Sequence, residues 1–99
     1  MARPPSPGVL RGARQFGTHV TTWRKLLGLT AQQVADRAGI SRGTLRRVET
    51  GDAGVNFAAV LSVARSLGIL DDLISSIDPY ASDLGRLRAD ERLPQRVRP

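Results

Sequence analysis

The stretch Thr30-Ala31-Gln32-Gln33-Val34-Ala35-Asp36-Arg37-Ala38-Gly39-Ile40-Ser41-Arg42-Gly43-Thr44-Leu45-Arg46-Arg47-Val48-Glu49-Thr50-Gly51 decides the fold. Thr30 with Gln33 three residues on forms a capping box, in which a hydroxyl and an amide each satisfy an orphan backbone N–H, so a helix starts here. Val34, Ala35 and Ala38 form its buried face and Gly39 ends it. At about two and a half turns it is too short to stand alone in water, so neighbours must hold it. Ser41 caps a second short helix only two residues later, with Leu45 and Val48 inward and Gly51 supplying the left-handed residue past its end. The connection is too tight for an antiparallel pair. The two helices must cross steeply.

Outward from this pair the apolar spacing stays helical. Phe16, Val20, Trp23 and Leu27, with Leu26 beside them, make one stripe that Gly28 stops, and Trp23 is expected in the core. Asn56 caps a helix carrying Phe57, Val60, Leu61, Ala64 and Leu67, closed by Gly68. Leu70, Leu73, Ile74 and Ile77 repeat the pattern until Asp78-Pro79 breaks it. Five helices without a strand pattern predict an all-α, compact five-helix domain over residues 16–78. Residues 1–15 read as a flexible basic arm, because Met1 to Gly12 hold three of the six prolines and few apolar groups. Residues 79–99 form a C-terminal extension in which Asp83 to Leu93 suits a last charged helix, although Gly85 and Pro94 favour a segment that orders on contact.

Composition narrows the function classes. In 99 residues there are 15 Lys+Arg against 9 Asp+Glu, a formal charge of +6, and no cysteine. Disulfide scaffolds and cysteine-ligated metal or thiol-redox sites are excluded, and apolar packing must hold the fold. No apolar run approaches the roughly 20 residues that cross a bilayer, so a soluble cytoplasmic chain with no membrane partner is expected. Charge is segregated: residues 1–23 carry +3, 24–51 carry +4, 52–78 carry -3 and 79–99 carry +2. Such a field suits one face that meets nucleic acid and another that does not. Fourteen of the cations are Arg, which grips phosphate and guanine bidentately, although GC-rich coding gives the same bias.

Catalysis is not expected, since no nucleophile stands beside an activating group and no Gly-rich phosphate loop is present. No cofactor is implied. His19, the only histidine, reads as a surface helix residue. Adjacent Asp71 and Asp72 diverge around a helix and suit its first turn better than a metal. Two short helices joined by Gly39-Ile40-Ser41 inside a basic helical domain are the pattern of a helix-turn-helix DNA reader. The second helix presents Arg42, Gly43, Thr44, Arg46 and Arg47 opposite Leu45 and Val48, and its N-terminal turn would reach deepest into the major groove.

Arg24, Gly28-Leu29-Thr30, Val34-Ala35, Ala38-Gly39-Ile40-Ser41, Leu45, Val48-Glu49, Gly51, Leu61, Ala64 and Leu67-Gly68-Ile69 together resemble the Xre/Cro/phage-repressor family of transcriptional regulators. The resemblance implies a dimeric, autoregulatory repressor on a pseudo-palindromic operator in double-stranded DNA, associated with the bacterial nucleoid. It implies base contacts by Arg42, Gly43, Thr44 and Arg47, where each arginine–guanine pair supplies roughly 1 to 3 kcal/mol of discrimination. Phosphate contacts are implied for Thr30, Gln32, Gln33, Arg46 and Asn56; Ala31 departs from the glutamine often found there. Arg24 and Glu49 match a structural pair that fixes the reading helix. Leu70, Leu73, Ile74, Ile77, Tyr80, Leu84 and Leu87 are the candidates for a dimer or partner surface. The closing Leu93-Pro94-Gln95-Arg96-Val97-Arg98 is similar to the tails of antitoxins paired with HipA-type kinase toxins, so a co-expressed toxin is the alternative partner.

Overall fold

The computed structural model describes residues 3–93. It consists of α1 (Pro7–Leu26), α2 (Ala31–Ala38), α3 (Arg42–Glu49), α4 (Phe57–Ser66), α5 (Leu70–Ser76), a short 3-10 turn (Pro79–Ala81) and α6 (Asp83–Arg92), with no strand among the described residues. The protein is all-α. The tail similarity at residues 94–99 lies outside the described residues.

Local chemistry starts and stops the central elements. Thr30 Oγ1 accepts from Gln33 N–H at 3.0 Å while Gln33 Oε1 accepts from Thr30 N–H at 2.9 Å, completing the capping box of α2. Gly39, at φ 69°, turns the chain out of α2 through a left-handed conformation that a Cβ disfavours. Ile40 N–H then returns to the Ala35 carbonyl at 3.0 Å, and the Ser41 side chain caps α3 on Thr44 N–H at 3.0 Å. Val20, Val34, Ala35, Leu45, Val48, Val63 and Leu67 form the core that α1 to α4 share. Ile40 packs against it from the turn itself. The turn between the two short helices is thereby tied to the hydrophobic centre, which fixes their crossing.

Four expectations are corrected. α1 begins at Pro7, capped by Ser6, so the expected arm over residues 1–15 is helical for most of its length. Proline at the first helical position loses only an N–H that would be orphaned anyway, so the Pro-rich composition starts a helix here.

Trp23 is 44% exposed, and Leu26 and Leu27 are also exposed. The buried face of α1 instead runs through Gly17 and Val20, with half-buried Thr21 and Arg24 alongside. Phe16 and Val20 of the expected stripe do pack on the core, whereas Trp23 and Leu27 turn away and the inward side passes to Arg24 toward the end of α1. Arg24 and Trp23 are neighbours and cannot both point inward. A Cβ at Gly17 would stand 2.5 Å from the Glu49 carbonyl oxygen, and this close approach fixes which side of α1 meets α3.

Phe57 is 73% exposed at the first position of α4, while Ala59, Val63 and Ala64 take the buried side. Gly85, read from sequence as weakening the last helix, is where the 3-10 turn crosses α6. A Cβ there would overlap the Pro79 carbonyl oxygen, so glycine permits the packing.

Candidate nucleic-acid interface

α3 is amphipathic about its own axis. Leu45 and Val48 are buried, whereas Arg42, Gly43, Arg46 and Arg47 are exposed and Thr44 is half-buried. The inner residues lock the helix to the core and leave three arginines on one outward surface. Thr44 is partly committed, because Ser41 Oγ donates to its hydroxyl at 3.0 Å, which draws it toward the cap.

The register of that surface is set from below. Arg24 Nε and Nη2 donate to Glu49 Oε2 and Oε1 at 2.8 and 3.2 Å, and Arg24 Nη1 donates to the Leu29 carbonyl at 3.2 Å. The two side chains are only 15% and 13% exposed. The hydrogen bond to Glu49 is the main cause raising the Arg24 pKa above its ordinary value, against a smaller opposing effect of burial. A bidentate pair has one good orientation, so the end of α3 is fixed to α1 and to the loop before α2.

Above the pair lies a hollow of about 330 Å³ lined by Arg24, Ala31, Arg42, Gly43, Leu45, Arg46, Glu49 and Thr50. Ala31 leaves it open where a longer side chain would reach across. Arg42 and Arg46 put two exposed cations on its lining.

The remaining candidates divide. Gln33 is held in the capping box, and Gln32 Nε2 donates to Asp36 Oδ1 at 2.7 Å, so both amides have partners within the chain. Asn56 Oδ1 accepts from Ala59 N–H at 3.2 Å; its side chain serves the helix start and leaves first-turn N–H groups without helical acceptors. Arg47 Nε donates to Asp52 Oδ2 at 2.7 Å in a pair whose side chains are 52% and 40% exposed. Sequence reasoning missed Asp52. Its signal was a carboxylate just past the left-handed Gly51, within reach of the last turn of α3.

Leu70 and Leu73 are half-buried, and Ile74, Ile77, Tyr80, Leu84 and Leu87 are exposed. Among the described residues no group of three or more His, Cys, Asp or Glu is placed to hold a metal ion, and no helix is long and apolar enough to cross a membrane.

Two short helices joined by a tight turn, a locked underside and an outward arginine face define a DNA-binding regulator of the helix-turn-helix class. A family model described as a helix-turn-helix domain matches residues 15–76, and the chain belongs to that family. Comparison with curated proteins and with solved structures gives no significant match.

Proposed function

We propose that the protein is a repressor of the Xre/Cro type that dimerises on a pseudo-palindromic operator and regulates its own transcription, with α3 of each subunit in the major groove. The observation that carries this reading is the division of α3 into a buried Leu45/Val48 side and an exposed Arg42/Gly43/Arg46/Arg47 side. Arg42 and Arg47 supply guanine contacts, Arg46 a phosphate contact, and Gly43 close approach of the backbone. The first turns of α2 after Thr30 and of α4 after Asn56 offer backbone N–H groups suited to phosphate. The activity is binding, and regulation is by occupancy of the promoter in the cytoplasm. Ile74 on α5 and Ile77 just past its end, exposed at 52% and 77%, are the apolar groups suited to a two-fold contact.

The test is footprinting on the upstream region of the protein's own gene across a salt series. With about four phosphates neutralised per subunit, log affinity falls with log salt at a slope near -7 for a dimer. Protection confined to one half-site, or a slope near half that value, contradicts the dimer. Protection without sequence preference contradicts specific repression.

A second reading, an antitoxin that binds a co-expressed toxin, is favoured by the C-terminal extension. Arg86 Nη1 donates to the Tyr80 carbonyl at 2.8 Å, and Gly85 packs against Pro79. The turn and α6 therefore brace one another while Tyr80, Leu84 and Leu87 stay outward. Co-purification with the product of a neighbouring gene that is lost on deleting residues 79–99 supports this reading; unchanged co-purification removes the extension from it.

A further inference from the structure

Asp52 adjoins Arg47 at the edge of an exposed face that also carries Arg42 and Arg46. A carboxylate there repels phosphates and weakens sequence-independent binding. Its geometry, however, is directed at one residue. Asp52 N–H donates to the Arg47 carbonyl at 2.9 Å, and Arg47 Nε donates back to Asp52 Oδ2 at 2.7 Å. The second oxygen, Oδ1, accepts from Gly54 N–H at 2.8 Å. Backbone and side chain of Asp52 are thus both tied to Arg47, and the loop holds the carboxylate from behind. The hydrogen bond from Arg47, and then that from Gly54, keep this carboxyl below its ordinary pKa, so it is ionised at neutral pH.

The placement of the bond on Nε matters. A guanidinium has five N–H donors, and using Nε leaves the terminal Nη1/Nη2 edge, the fork that matches guanine O6 and N7. Gly54 stays close enough that a Cβ on it would lie 3.2 Å from Asp52 Oδ1 and 3.9 Å from Arg47 Nη2, so the turn closes tightly beside the guanidinium.

We infer that Asp52 is a positioning residue that sets the base preference of Arg47, holding the guanidinium by Nε and presenting its terminal edge to guanine. The inference rests on the reading of α3 as the base-reading helix. Asp52 weakens sequence-independent affinity and adds selectivity at a single base position.

The test uses the full chain and a randomised duplex DNA library, with sequencing of the bound fraction for wild type, Arg47→Ala and Asp52→Asn. An asparagine keeps an oxygen for Gly54 N–H and lacks the charge that holds Arg47, so the loop turn survives. The expected result is a guanine enriched at one position per half-site by wild type and lost with Arg47→Ala. Asp52→Asn lowers that one preference by about two- to fivefold, the range an exposed ion pair supports, while binding to the library as a whole strengthens. A guanine preference unchanged or sharpened by Asp52→Asn overturns the inference, as does an equal loss at every position together with a lower melting temperature. Enrichment that Arg47→Ala does not alter, or no enrichment by wild type, overturns the reading of Arg47 itself.

Discussion

On the underside of α3 an arginine–glutamate pair is largely shielded from water and doubly bonded; on the outer side an arginine–aspartate pair is half in solvent and shares a single bond. The residue types are nearly the same, and the physical consequences differ. Arg24 and Glu49 have given up water and depend on each other, so removing one strands the other. Arg47 and Asp52 stay about half in solvent and contribute little to folding. The comparison teaches that burial, more than charge or distance, separates a residue that holds α3 in place from one left at its surface for contact.

The sharpest way to break the contrast is Glu49→Ala, which leaves Arg24 partly buried without its carboxylate. It lowers stability by about 3 kcal/mol. Thermal melting reads this as a drop of more than about 10 °C for a chain of this size. A drop of only a degree or two makes the underside pair equivalent to the outer one. Gly17→Ala attacks the same underside sterically: its Cβ meets backbone oxygen of Val48 and Glu49 at 2.6 and 2.5 Å. The expected loss is about 1 to 3 kcal/mol, because α1 must shift away from α3. Denaturant unfolding checks it.

On the outer side the effects move from folding to binding. Arg42→Ala leaves the melting temperature within about 1 °C, since exposed substitutions away from packed features stay within about 0.5 kcal/mol. It nevertheless flattens base discrimination by roughly 1 to 3 kcal/mol at its position, measured by competition between operator variants.

The smallest effect concerns acid. Asp52 has a depressed folded-state pKa, so its stabilising contribution is present above the unfolded value of about 4 and is lost as pH falls through the lower folded value. The difference in melting temperature between wild type and Asp52→Asn is therefore small at neutral pH and closes below about pH 4. A gap that widens on acidification reverses the assigned sign.

The central pair of helices was legible because its signals are local. Thr30/Gln33, Gly39, Ser41 and Gly51 act on backbone groups within a few residues, and the structure places each where its chemistry requires. The outer face of α3 was legible for the same reason, since Leu45 and Val48 fix which residues lie opposite. α1 was harder. Its apolar stripe and its buried side share Phe16 and Val20 and part at Trp23, where only partners distant in sequence, Glu49 and the backbone at Val48, decide which residue faces inward. Pro7 gave a local signal for the helix start that the proline-rich composition obscured.

Local sequence therefore determined where the helices begin and end, which side of α3 is apolar, and that the chain is all-helical and basic along its first half, because capping, periodicity and glycine conformation act within one or two turns. Tertiary structure alone decided that Arg24 displaces Trp23 from the interior and that the backbone of Val48 and Glu49 closes on Gly17. Each of these depends on a side-chain direction or a close approach set when helices pack, and spacing along one strand of sequence carries no measure of such a distance.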